Sequence, residues 1–251
     1  EMCIRDSPYW SFPQVEPRAL ETSFGLPSGH TQKATAIWAT MAVSFRKTWL
    51  WVLSIIMIIM IALSRIYLGV HFLSDVLTGL LISTLFLVLY LKLETPLVNW
   101  AKRQSPWVIF LFSLITCLIP ILVAAAIRNA NTGWQIPPGW LVTDIAPFSL
   151  EGILTINGSL FGMLTGYVWI MRSGGFQTRG NAFQLVLRYV VGVAGMLAIR
   201  YGLKFLFPES TDLLGYSLRF IRYGLIGLWL TALAPFLFIK LKISRKSRRT
   251  E

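Results

Sequence analysis

Charge is scarce in this chain, and acid scarcer still. Asp and Glu number 11 against 23 Lys and Arg, and only 14% of the 251 residues are charged. A soluble domain carries about 25%. With 55% of its residues hydrophobic, the composition is that of a membrane protein. Cysteine is limited to Cys3 and to Cys117, which lies inside an apolar run; neither number nor setting suits a disulfide framework or a zinc site. Histidine is limited to His30 and His71. Two histidines and so few acids suggest no metal centre. The net charge of +12 does not point to nucleic acid, because the cations sit between apolar segments instead of forming one solvated face. They read as loop charges that set membrane orientation. A signal-peptide pattern is missing too, as is an initial Met, and residues 1–7 read as a foreign fusion scar to be left out of fold reasoning.

What is present is a series of hydrophobic runs: Thr31 to Phe45, Trp49 to Ser64, Val76 to Leu91, Trp107 to Ile127, Gly158 to Met171, Phe183 to Phe207 and Leu218 to Ile239. The expected fold is all-α, a polytopic bundle of transmembrane helices. If every run crosses, Arg46 and Lys47, then Lys92, Lys102 and Arg103, then Arg172 and Arg179, then Lys240 to Arg249 share one side. The positive-inside rule makes that side cytoplasmic, together with the basic C-terminal tail. Residues 8–26 are too rich in proline to span, and their aromatics suit the water interface of a bilayer. The loop from Asn129 to Asn157, with Trp134 and Trp140, is expected along the outer interface. Gly158, Gly162 and Gly166 recur every four residues and read as helix packing.

Both histidines fall in one stretch, Leu26 to Asp75. It opens with Pro27-Ser28-Gly29-His30 and closes with Ser64-Arg65, five residues, His71, three residues, Asp75. Two apolar helical runs separate the motifs, so the stretch reads as a membrane hairpin with a polar cluster at its outer mouth. His71 and Asp75 share a helical face if the next helix begins before His71. An Asp so placed fixes the tautomer of the ring and leaves the other nitrogen free as a nucleophile or base. Arg65 offers a planar fork suited to phosphate oxygens. A helix opening at Pro27 to His30 presents free amides and a positive dipole end to an anion. All of these features ask for a phosphate group.

At these residues the chain resembles the type 2 phosphatidic acid phosphatase (PAP2) family, whose members share a core with vanadium haloperoxidases. Pro27 to His30 match the second family motif; Ser64, Arg65, His71 and Asp75 match the third, eight specified residues in all. The resemblance implies that His71 attacks phosphorus to form a phosphohistidine and that Asp75 orients it. His30 would protonate the leaving group and then activate water, while Arg65, Ser28, Gly29 and Ser64 bind the phosphoryl oxygens. It implies neither cofactor nor metal. The first family motif, Lys-x6-Arg-Pro, is broken: Pro8 fits its last position, but Ser7 stands where Arg belongs and the Lys falls before residue 1. The chain therefore reads as N-terminally truncated and short of two phosphate-binding cations, with no substitute role assigned to Arg5 or Arg18. Residues 8–95 are expected to be the catalytic core and 96–251 a C-terminal transmembrane extension.

The function these features imply is a membrane-integral phosphatase acting on a lipid phosphate or diphosphate, with phosphatidic acid, phosphatidylglycerol phosphate and undecaprenyl diphosphate as candidates. Its expected setting is a bacterial inner membrane with the site facing the periplasm and membrane lipids around it. The competing reading is a non-catalytic phospholipid-binding or transport protein that retains the phosphate pocket. A lone histidine at a helix end is more often an interfacial residue than a catalyst; four polar groups at one membrane mouth reverse that weighting. Arg200, Lys204, Arg219 and Arg222 read first as cations snorkelling to lipid headgroups and second as a means of gathering anionic substrate.

Overall fold

Every regular element among the described residues is helical. The computed structural model describes residues 6–142, 145–208 and 210–247. Cys3, most of the supposed scar and the last two residues of the basic tail lie outside that range. In chain order the helices are α1 (Pro8–Ser11), α2 (Gly29–Phe45), α3 (Thr48–Tyr67), α4 (Leu73–Arg103), α5 (Pro106–Ala130), α6 (Glu151–Arg172), α7 (Ala182–Leu206), α8 (Leu213–Leu228) and α9 (Ala234–Lys240). A π-helical turn, Trp229–Leu233, joins the last two into one rod. Among the described residues six helices are long and apolar enough to span a bilayer: α3, α4, α5, α6, α7 and the rod that begins at Leu213. This is an integral membrane protein.

Several helices outrun their apolar stretches: α6 starts at Glu151, within the expected loop, and α8 at Leu213; two further differences have plain physical reasons. The run at Thr31 was expected to cross, but α2 has 17 residues and does not qualify as a span. It rises about 26 Å, less than the ~30 Å hydrocarbon core, and its first two turns carry Gln32 and Lys33. The run that was ended at Leu91 continues as helix to Arg103, with Pro96 inside it. At 31 residues α4 is about 46 Å long, so its last turns, with Lys92, Glu94, Lys102 and Arg103, outreach the hydrocarbon.

The chain divides into two compact units, residues 1–102 with 133–147, and residues 103–132 with 148–251. The first unit carries both histidine motifs. In it α2 and α3 form a hairpin about Arg46, which closes α2 in the left-handed conformation (φ 51°). Ser54 Oγ donates to the Trp38 carbonyl at 2.9 Å and ties the two helices together. In the proline-rich segment before α2, two of the aromatics expected at a lipid interface are buried in the protein instead. Tyr9 and Trp10 are buried with Val70 in a cluster that Phe24, Trp140, Val142 and Ile145 complete. The Leu141 amide donates to the Trp10 carbonyl at 2.6 Å and the Ala146 amide to the Thr22 carbonyl at 2.9 Å, so residues 133–147 cover these aromatics. Aromatic amphiphilicity suggested the bilayer surface; an apolar partner from far along the chain removes the rings from it.

Trp10 is fully buried. Replacing it by alanine should lower stability by about 3–5 kcal/mol, the usual cost of emptying a buried aromatic site. Thermal unfolding in detergent measures it, and a loss below about 1 kcal/mol would mean that the cluster is not a unit.

In the second unit the glycine stripe does what its period implies. Gly158, Gly162 and Gly166 lie on the face of α6 that meets α8; a Cβ on Gly158 would stand 2.6 Å from the Phe220 carbonyl oxygen. Gly227 returns the arrangement from α8, where a Cβ would collide with the Ser159 carbonyl. Arg219 pairs with Glu151 at 2.7 Å and Arg222 is buried, its guanidinium 5.4 Å from the Tyr223 ring centre. Those two cations serve the packing of this unit.

Candidate active site

The second motif is a helix start. Ser28 is the N-cap of α2: its Oγ accepts from the Thr31 amide at 3.5 Å and from the Thr31 hydroxyl at 3.0 Å. Serine is among the preferred caps because its oxygen satisfies an amide the helix leaves orphaned. His30 is thereby set in the first turn. The Ser28 amide donates to the Asp75 carbonyl at 3.0 Å, which docks this turn onto the start of α4. One backbone bond thus brings the two motifs together.

The third motif spans a reversal of the chain. Arg65 lies in the last turn of α3, and Gly69, at φ +71°, supplies the left-handed residue that turns the chain back towards His71. Asp75 is the third residue of α4, and its Oδ2 accepts from the Phe72 amide at 2.8 Å, the acidic half of a capping box. The same Oδ2 lies 3.6 Å from His71 Nδ1. Asp75 is fully buried and His71 nearly so. Gly25 presses on this carboxylate from outside the helix; a Cβ there would come within 3.0 Å of Oδ2.

Glu21 belongs to the site although neither motif contains it. Its Oε1 is 3.6 Å from His30 Nδ1 and 3.6 Å from Arg65 Nη2. Glu21, His30 and His71 each offer a ligand atom within 4.8 Å of the others. Those three could close on a transition metal, but the adjacent Arg65 guanidinium opposes a dication there. The same cation favours an anion. Arg65 has a side chain only 12% exposed, and its buried Nε makes no hydrogen bond among the described residues.

Both histidines are held below the ordinary value for the ring. For His30 burial is the largest cause and Arg65 adds to it, while Glu21 opposes. For His71 burial again leads, opposed by Asp75, the Gly25 carbonyl and Glu21. At neutral pH His71 is therefore unprotonated, with Nδ1 turned to Asp75 and Nε2 available.

His30, Arg65, His71 and Asp75 are brought together as the spacing led one to expect. Ser28 is buried in its capping role, and Gly29 has open space about its Cα. Ser64 is not aimed at the cluster: its Oγ donates to the Ile61 carbonyl at 2.7 Å, within its own helix. Ser7, in the place of the missing arginine, is buried at the start of α1 with its hydroxyl unbonded among the described residues.

In this membrane protein a half-exposed histidine and a nearly buried one stand beside one arginine, an arrangement suited to phosphoryl transfer. The chain belongs to the PAP2 superfamily: the family model described as PAP2 superfamily matches residues 2–99, and that described as PAP2 superfamily phosphatase, transmembrane extension, matches residues 154–246. It is similar to human glucose-6-phosphatase 2, at 24% identity over 91% of this chain and 74% of that protein. It is similar to phosphatidylglycerophosphatase B of Bacillus subtilis (strain 168), at 31% identity over 31% of this chain and 42% of that protein. Undecaprenyl-diphosphatase of Sulfolobus acidocaldarius is 32% identical over 32% of this chain and 38% of its own length. The chain thus spans about three quarters of the first relative and under half of the other two. No solved structure matches it. Relatives that are phosphatases do not favour a non-catalytic lipid-binding protein.

Proposed function

We propose that the protein hydrolyses a phosphate ester or anhydride of a membrane lipid through a phosphohistidine at His71. The observation that carries this reading is the mostly buried Arg65 guanidinium, its Nε unbonded among the described residues, beside two histidines, one of them backed by a buried carboxylate. Arg65 and the free amides at the start of α2, Gly29 among them, hold the phosphoryl oxygens. His71 Nε2 attacks phosphorus, the bond from phosphorus to the leaving oxygen breaks, and His30 gives that oxygen a proton. Water then attacks the phosphohistidine, His30 takes a proton from it, and inorganic phosphate leaves. Ser28 acts from behind, by capping the helix that carries the amides.

A lipid substrate fits a site at the end of a spanning helix, because the product alcohol stays in the bilayer while phosphate meets water. Arg65 lies at one end of α3 and Lys47 precedes the other. The positive-inside rule then places Lys47 in the cytoplasm and the histidines on the opposite face of a bacterial-type inner membrane. The two relatives named for lipid phosphates, phosphatidylglycerophosphatase B and undecaprenyl-diphosphatase, support this substrate class.

Purified protein in mixed micelles should release phosphate from phosphatidylglycerol phosphate, phosphatidic acid or undecaprenyl diphosphate, and acid-labile 32P should be trapped on histidine. Faster turnover of glucose 6-phosphate than of all three would overturn the lipid assignment while leaving the chemistry intact. The pH dependence follows from the two rings. Activity requires neutral His71 and protonated His30, so kcat/KM should fall on the acid side as His71 gains a proton and on the alkaline side as His30 loses one. With the His30 pKa lowered, the alkaline limb should lie below the ordinary histidine value. A limb above that value would mean that Glu21 outweighs burial and Arg65 at His30, and a profile with no alkaline limb would remove His30 as the acid.

A further inference from the structure

Glu21 is the site residue that the family motifs leave without a role. It sits in the loop between α1 and α2, and a single side chain fixes its backbone from both directions. The Tyr9 hydroxyl donates to the Glu21 carbonyl at 2.9 Å and accepts from the Glu21 amide at 2.9 Å. Tyr9 is itself buried in the aromatic cluster. A loop residue without regular secondary structure is therefore anchored to the core at its own peptide groups.

That anchoring points the Glu21 carboxylate at His30. The two His–carboxylate pairs of the site match: His71 Nδ1 to Asp75 is 3.6 Å, and His30 Nδ1 to Glu21 is 3.6 Å. In each, the carboxylate meets Nδ1 and leaves Nε2 for the substrate. The pairs differ in burial, since the Asp75 side chain is fully buried while that of Glu21 is 23% exposed. A proton donor that must recharge from water between turnovers suits the wetter pair.

We propose that Glu21 is the positioning residue of His30, fixing its Nδ1 proton so that Nε2 is aimed at the leaving oxygen. The proposal rests on the phosphohistidine reading above. In the step concerned, the P–O bond to the leaving group breaks and the oxygen takes the proton from His30 Nε2, while the Glu21 carboxylate stays against Nδ1–H at 3.6 Å and is not itself consumed. The charged groups facing His30 are Glu21 from the loop, Lys33 from α2, Arg65 from α3 and His71 from the turn before α4. Of these Glu21 alone favours the protonated ring. The carboxylate also faces Arg65, and a role confined to holding that cation would appear in substrate binding.

The test uses leaving-group dependence in the full chain. Single-turnover release of the alcohol is measured for an alkyl or lipid phosphate, whose departing oxygen needs a proton, and for p-nitrophenyl phosphate, whose departing oxygen does not. Glu21→Gln should slow the first by about 10–100-fold, less than the ~10²–10⁴-fold that loss of the general acid itself would cost, and by about tenfold more than it slows the second. Its kcat/KM profile should lose its alkaline limb at lower pH than the unaltered protein. In a His30→Ala background the same change should add less than about twofold, as expected for residues acting as a unit. Glu21→Asp should recover part of the loss. Equal slowing of both substrates, a rise in KM at unchanged kcat, or full additivity with His30→Ala would overturn the proposal. A protein that is unaltered and turns over neither substrate would instead overturn the phosphatase reading.

Discussion

His71→Ala abolishes phosphate release from every lipid substrate, and no acid-labile label remains on the protein. The expectation follows from the position of the ring. Its Nδ1 faces a buried carboxylate at 3.6 Å, burial keeps it unprotonated, and Arg65 waits on the same side to hold the group being attacked. Among the described residues the one other histidine, His30, faces Glu21 and is the proton donor in the proposed reaction. Loss of a covalent nucleophile costs about 10⁶-fold where it has been measured, so the residual rate should be at the limit of detection. His71 is nearly buried, so a folding defect must be separated from a chemical one. Gel filtration in detergent and the unfolding midpoint serve for that. Retained activity in a folded variant would remove His71 from its role.

Asp75→Asn comes second. Asparagine keeps a carbonyl oxygen to accept from the Phe72 amide, so the start of α4 is preserved. What changes is the charge: the one oxygen that serves both Phe72 and His71 becomes a neutral amide oxygen, a weaker hold on the Nδ1 proton of the ring. The ring is then free to take the wrong tautomer, and Nε2 becomes a donor instead of a nucleophile. In the Ser-His-Asp hydrolases the equivalent exchange lowers kcat by about 10⁴-fold, and a loss of about 10²–10⁴-fold is expected here. Steady-state kcat measures it. A drop of less than about tenfold in a variant with unchanged unfolding would show that Asp75 is only a helix cap.

The parts of the site carried by helix ends were legible in the sequence. Ser28 before an apolar run, His30 one turn in, and Arg65, His71 and Asp75 at fixed intervals all have local physics that places them, and the structure gathers them at one point. Glu21 was not legible. It sits nine residues before His30 in a loop with no period, and what aims it is the phenol of Tyr9, twelve residues earlier in the chain. Ser64 fails in the opposite sense, since its spacing fits the motif while its hydroxyl is spent on Ile61. The apolar runs gave the helical class, but hydropathy alone ended this run at Leu91, where helix propensity and a tolerated Pro96 carry α4 on for about three more turns. Trp10 looked interfacial because residues 133–147, which cover it, are more than a hundred residues away.

The bond from the Phe72 amide to Asp75 gives this enzyme a gauge of its own readiness. One carboxylate oxygen closes the first turn of α4 and stands against the ring of the proposed nucleophile, so fraying of that turn takes from His71 its support. The protection of a single backbone amide against deuterium exchange therefore reads the fraction of molecules poised to react. Lipids, detergents or inhibitors that slow or hasten exchange at Phe72 should change the rate of phosphoenzyme formation in the inverse sense.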